Sequence, residues 1–287
     1  MEYYSEEGNV LYCGDCKDVM GDFTDGCVDL TVTSPPYDNL RDYRGYSFDF
    51  EGIAKELFRV TKDGGVVVWV VGDATIKGSE TGTSFRQALY FKEIGFNLHD
   101  TMIWKKTTIP QNGNRYEPEF EYMFILSKGP PKTFNPIKVK KLYKDNRVTN
   151  SGQRNKDGTY SELKINKTII KTMGNIWNIS TGGGKTTKDK IAFKHPAIFP
   201  DRLSQDHILS WSNEGDTIFD PFAGSGTTLK MAYHNKRKFI GVEISEEYCE
   251  IAKARIENER EQLTLDFEFN TSNIDKEFIA DIVKCFD

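Results

Sequence analysis

The chain has 287 residues, 38% apolar and 28% charged, enough for one large α/β domain with an insertion. No apolar stretch approaches the 18 residues of a membrane span, and the acidic start MEYYSEEGNV lacks a basic leader, so neither a membrane span nor a signal peptide is expected. The net charge of −5 hides a division: residues 128–194 hold 16 Lys and Arg against 4 Asp and Glu, a net of +12, and the rest of the chain is at −17.

Five cysteines, an odd number, point to a reducing cytoplasm. LYCGDC, with Cys13 and Cys16, reads as a strand entering a turn. A zinc site needs a second pair or nearby histidines, which do not follow, so no metal is expected. VDLTVT (28–33) reads as a buried strand, and it runs into SPPY, Ser34 to Tyr37. Proline lacks an N–H and fixes φ, so the strand stops there in a rigid elbow. EGIAKELFRVTKDGG (51–65) is predicted as an amphipathic helix with Ile53, Leu57 and Phe58 inward and glycine at its end. VVVWVV (66–71) is apolar on both faces, as a strand inside a parallel sheet is. SFRQALYFKEIGF (84–96) is a second helix; LHDTMIWKK and EYMFILSKG read as paired strands.

From residue 130 to 194 the chain is basic, polar and weakly periodic, the signature of an inserted recognition region with an electrostatic footprint for phosphates. TGGGKTT (181–187) ends like a phosphate loop, but the first glycine of that motif falls on Ile179, so nucleotide hydrolysis is not expected. Strand and helix patterns then return. DTIFDPFAGSGTTLKMA (216–232) is a strand, a glycine turn and a helix, and FIGVEIS follows as the next strand. Gly224 and Gly226 permit a tight turn, Asp220 ends one strand, and Glu243 ends the next, where a carboxylate can accept from both ribose hydroxyls. The set points to an adenosine-containing cofactor. Residues 246–263 form a last helix with Tyr248, Ile251, Ala252 and Ile256 on one side. The alternation predicts a doubly wound, mostly parallel sheet.

The elbow suits an aromatic amine. Its two N–H donors would be met by Ser34 Oγ and the Pro35 carbonyl, held still by the fixed φ angles of Pro35 and Pro36, with the ring stacked on Tyr37. A carbon-5 cytosine methylase would need a nucleophilic cysteine, commonly after proline, and no cysteine here follows a proline. TSPPY (33–37) and DPFAGSGTT (220–228), with GDC (14–16), HPAIFP (195–200) and GVEIS (241–245), resemble the motifs of amino-group DNA methyltransferases over about residues 10–255. The order, catalytic motif first and cofactor motif last, resembles the beta subgroup.

The resemblance implies the S-adenosylmethionine-dependent methyltransferase sheet in circularly permuted form. Residues 1–127 and 195–263 would be its two parts, 128–194 a target-recognition region and 264–287 a C-terminal tail. Ser34, Pro35, Pro36 and Tyr37 would be catalytic, with Asp73, after the buried strand, either a supporting acceptor or a surface or capping residue. Asp15, Phe199, Pro200, Asp220, Pro221, Phe222, Gly224, Ser225, Gly226, Thr227 and Glu243 would hold S-adenosyl-L-methionine. Lys138, Lys140, Lys141, Lys144, Arg147 and Arg154 would meet double-stranded DNA. The implied reaction methylates cytosine N4, or alternatively adenine N6, in a flipped-out base. Serine at 34 after threonine leans toward cytosine. RNA or protein amines and non-catalytic DNA binding are the rival readings. A cognate restriction endonuclease, and a monomer or homodimer, are left open.

Overall fold

A computed structural model describes residues 1–36, 48–106, 115–141, 154–160, 169–182 and 184–284, with backbone alone beyond 265. In chain order the strands and helices are β1 (Glu2–Glu6), β2 (Asn9–Cys13), α1 (Cys16–Gly21), β3 (Val28–Thr33), α2 (Phe50–Val60) and β4 (Thr61–Val71). There follow β5 (Thr75–Ile76), β6 (Ser79–Glu80), α3 (Thr83–Glu93), β7 (Asn97–Lys105), β8 (Phe120–Ser127) and β9 (Lys138–Lys140). The remainder are β10 (Ile170–Thr172), β11 (Ile176–Asn178), α4 (Asp201–Trp211), β12 (Thr217–Asp220), α5 (Thr227–His234), β13 (Lys238–Glu243) and α6 (Glu246–Lys284).

The chain divides into two compact units, Pro136–Gly174 and everything else. The larger unit is built on a nine-stranded sheet in the order β1-β2-β13-β12-β3-β4-β8-β7-β11. The run from β2 to β4 is parallel, β8 is antiparallel to both β4 and β7, and β11 pairs parallel with β7. Helices α1, α2 and α3 cover one face, with Leu57, Trp69, Phe91 and Phe219 fully buried there. The opposite face holds Leu30, Val32 and Ile218 and is covered by α4, α5 and α6. Strand order reverses between β3 and β12, which opens a crevice at their carboxyl ends, the ligand-binding position of such sheets.

Three local outcomes differ from the sequence reading. The helix predicted over 51–65 stops at Val60, and β4 already begins at Thr61. Between the pairs Val28–Thr61 and Leu30–Val66 the ladder skips, and Gly64, at φ +80°, lies in that irregularity rather than at a helix end. Short β11 lies inside the basic stretch yet joins the main sheet, because Trp177 is buried and pairs with Trp104 in register. Helix α6 continues past residue 263 to Lys284.

The Pro136–Gly174 unit contains an antiparallel pair, β9 with β10, extended by hydrogen bonds from Lys141 N to Ile169 O and from Met173 N to Ile137 O. Asp157 and Thr159 form a turn beside the Arg154–Tyr160 bridge. No described helix is long and apolar enough to cross a membrane.

Candidate active site

β3 and β12 end side by side. Ser34 follows β3, with Pro35 buried and Ser34 and Pro36 half-buried; Tyr37 lies outside the described residues. At the end of β12, Asp220 is 1% exposed. Its Oδ1 accepts from Thr33 Oγ1 at 2.6 Å and from the Phe222 N–H at 3.0 Å. Burial pushes this carboxyl up to about 7, against the pull of those donors. The chain then turns through Pro221 to Gly226. Ala223 N donates to Val242 O at 2.8 Å and Gly226 N to Ala223 O at 2.7 Å, so the turn is fastened to the neighbouring strand and to itself. Phe222 is half-buried and meets Phe48 and Trp69 edge-on.

Glu243, at the end of β13, is buried and faces this turn. Oε2 accepts from Gly224 N at 2.8 Å and Oε1 from Ser245 N at 2.9 Å. Burial raises its pKa, opposed by those backbone donors. A carboxylate offers about four lone-pair sites, so two remain for further donors. The Glu243 carbonyl accepts from Gly14 N at 2.9 Å, which brings Asp15 to the same sheet end. Asp15 is exposed and caps α1, accepting from Lys17 N at 2.8 Å.

The two glycines of the turn sit at φ +51° and +77°, in the left-handed region. A Cβ on Gly224 would approach His195 Nε2 to 3.1 Å, and one on Gly226 would lie 2.8 Å from the Ala252 Cβ. Glycine is thus needed here for chain packing on chain, His195 above one residue and α6 against the other. His195 in turn packs on the Tyr248 ring, with centroids 4.2 Å apart. Phe199 is half-buried, and buried Pro200 precedes α4.

Asp73 makes the contacts of a capping residue. Oδ1 accepts from Ser84 N at 2.9 Å and Thr81 Oγ1 at 3.2 Å, and Oδ2 accepts from Ser84 Oγ, all at the start of α3. Lys138, Lys140 and Arg154 are exposed and Lys141 is half-buried, all in the Pro136–Gly174 unit; Lys144 and Arg147 lie outside the described residues.

The sequence reading missed an ionic cluster behind the turn, in which buried Arg255 and Lys230 meet half-buried Asp189 and Asp201. Arg255, its side chain fully buried, donates to Ser225 O at 2.8 Å, Ser225 Oγ at 3.1 Å and Thr227 Oγ1 at 3.0 Å. It also pairs with Asp189 at 2.9 Å and Asp201 at 3.0 Å. Lys230 joins at 2.8 Å from Asp189 and 3.1 Å from Asp201. Burial pushes Asp189 up, but Lys230 and Arg255 outweigh it and hold the carboxyl below its ordinary value. The signal was present: Arg255 lies on the Ala252–Glu259 side of α6, and Asp189 is one of four acids in a basic stretch.

The donor set fits an adenosine cofactor, because the buried Glu243 carboxylate is pinned by two backbone N–H groups and keeps capacity for ribose hydroxyls. The family model for N6/N4 DNA methylases, described as "DNA methylase", matches residues 28–254. The orphan methyltransferase M.BamHII of Bacillus amyloliquefaciens is 60% identical over 249 residues, covering 84% of this chain and 92% of its own. The S-adenosyl-L-methionine complex of TTHA0409 from Thermus thermophilus superposes with a TM-score of 0.60 at 27% identity, covering 87% of this chain and 93% of that one. The cytosine-N4-specific PvuII DNA methyltransferase shares the fold, with a TM-score of 0.65 at 21% identity over 88% of this chain and 87% of its own. The chain therefore belongs to the N6/N4 DNA methylase family and is an S-adenosyl-L-methionine-dependent DNA methyltransferase acting on the exocyclic amine of cytosine or adenine.

Proposed function

We propose that the protein methylates N4 of cytosine at a specific site in double-stranded DNA, on a base flipped out of the helix. The reading is supported above all by the neighbouring ends of β3 and β12, which place the Ser34–Pro36 elbow beside the Asp220–Thr227 turn. S-adenosyl-L-methionine supplies the methyl group, its carbon–sulfur bond breaking as the nitrogen–carbon bond forms.

Ser34 Oγ and the Pro35 carbonyl accept the two amine hydrogens out of the ring plane, which frees the nitrogen lone pair from the ring. Pro36 holds that carbonyl in place, and Tyr37 stacks on the base, replacing roughly 1–3 kcal/mol of lost stacking. The proton leaves late, through Ser34 or water. Glu243 accepts the ribose hydroxyls. Asp15, Phe222, Phe199 and Pro200 line the cofactor, and the turn from Asp220 through Pro221, Gly224, Ser225 and Gly226 to Thr227 shapes its seat. Asp73 acts through α3 by capping it.

Residues 128–194 recognise the target. Lys138, Lys140, Lys141, Lys144, Arg147 and Arg154 neutralise phosphates. The choice of cytosine rests on serine at position 34, as in the resemblance above. The relative at 60% identity is named an orphan methyltransferase, which supports action without a paired restriction endonuclease; the odd number of cysteines supports a reducing cytoplasm as the location.

Incubating the purified protein with duplex DNA and labelled cofactor, then separating the nucleosides, tests this. N4-methylcytosine is expected; N6-methyladenine overturns the choice of base, and transfer to RNA alone overturns the substrate.

A further inference from the structure

The backbone ladder between β3 and β12 pairs Leu30 with Ile218 and Thr31 with Phe219, and among the described residues it ends there. The strands then part to open the crevice, yet each carries one of the two motifs at its end. Two side-chain hydroxyls continue the connection where the ladder stops. Thr33 Oγ1 donates to Asp220 Oδ1 at 2.6 Å, and Thr228 Oγ1 donates to Val32 O at 3.0 Å. Thr33 and Thr228 are fully buried and Asp220 nearly so, so water does not compete for these bonds. The same Asp220 oxygen takes the Phe222 N–H, so one atom receives a hydrogen from the residue before Ser34 and another from the cofactor turn.

We infer that Thr33 and Asp220 are a positioning pair that sets the distance between the catalytic elbow and the cofactor turn, with Thr228 as a second, weaker tie. The inference rests on the reading of Ser34–Tyr37 and residues 220–228 given above. Neither side chain touches the reacting atoms. Methyl transfer needs nitrogen and carbon at about 3–3.5 Å and in line, and a displacement near 1 Å costs roughly 10²-fold. Two strands joined only by backbone pairs below the crevice leave that gap free to vary. A buried hydroxyl–carboxyl bond across it removes the freedom.

The test is single-turnover methylation at saturating cofactor and duplex, with both dissociation constants measured. Thr33→Val deletes the hydroxyl and keeps the shape; Thr33→Ser keeps the hydroxyl. Thr33→Val is expected to react about 10–100-fold more slowly with both dissociation constants within about threefold of wild type, and Thr33→Ser to recover the rate. A wild-type rate for Thr33→Val, or equal losses in both variants, overturns the pair. Should Thr33→Val fail to fold, Thr228→Val decides: slowed transfer supports the inference and a wild-type rate overturns it. Ser34→Ala, run alongside, separates the two readings. A wild-type rate for Ser34→Ala removes the catalytic elbow itself, whereas a slow Ser34→Ala beside a normal Thr33→Val removes the positioning pair alone.

Discussion

The crevice end of the large sheet and the Pro136–Gly174 unit are built on opposite principles. At the crevice, Asp220, Glu243 and Arg255 are buried and each meets two or more partners at fixed distances. In the other unit a three-residue strand pair displays exposed Lys138 and Lys140, and Lys138 donates to Thr172 Oγ1 at 3.0 Å. Aligning an amine with a methyl group demands preorganised geometry, while attraction to phosphate demands mainly charge. Changes at the crevice should therefore act on rate, cofactor affinity or stability, and changes in the basic unit on salt-dependent DNA affinity.

The largest effect is expected at the ionic cluster. Arg255→Met removes the fully buried member and leaves half-buried Asp189 and Asp201 with Lys230 as their remaining cation, so the loss is at most about 3–5 kcal/mol, the range for breaking a buried ionic group. Urea unfolding checks this, and a midpoint near wild type would show that the cluster relaxes around the loss. Ser34→Ala should bind cofactor and DNA almost normally yet transfer methyl on the order of 10²-fold more slowly, or worse, as when one preorganised hydrogen-bond partner is lost. Single-turnover rates decide it.

Glu243→Ala should weaken S-adenosyl-L-methionine by about 1.5–3 kcal/mol in calorimetry, as expected for hydrogen bonds to a charged group, with DNA affinity nearly intact. An equal loss of DNA affinity would break the separation between the two regions.

In the basic unit, neutralising Lys138, Lys140 and Lys141 together should flatten the dependence of log K on log salt by about 2.7, from about 0.9 per phosphate contact. Cofactor affinity should not change. If the slope stays whole, these lysines form only a solvated face.

The smallest effect concerns His207, fully buried against Trp177 with ring centroids 4.4 Å apart. Burial holds its pKa down to about 3, against 6.5 when exposed. The neutral form thus supports the fold above pH 6.5, and that support is lost as pH falls from 6.5 toward 3, because the unfolded chain takes up the proton first. From pH 7 to 6 the loss is under about 1 kcal/mol. His207→Phe should lose this part of the pH dependence in urea titrations.

Much of this was legible in the chain itself, where the signals are local. Proline chemistry ends β3 at Ser34–Pro36, the run VVVWVV marks the inner strand β4, and DPFAGSGTT followed by FIGVE marks the turn Asp220–Thr227 and the next strand, which ends at Glu243. Each signal lies within one element or one turn, so periodicity and backbone restriction suffice to find it. The tertiary structure decided what joins residues far apart. Thr33 and Asp220 meet across 187 positions, Arg255 and Asp189 across 66, and Trp177 draws a piece of the basic stretch into the main sheet. Asp73 was ambiguous because a carboxylate after a strand can face a crevice or a helix start, and only the placement of α3 brings Ser84 within reach. Such contacts depend on how strands order themselves around the switch point, and a chain read one window at a time holds no record of that order.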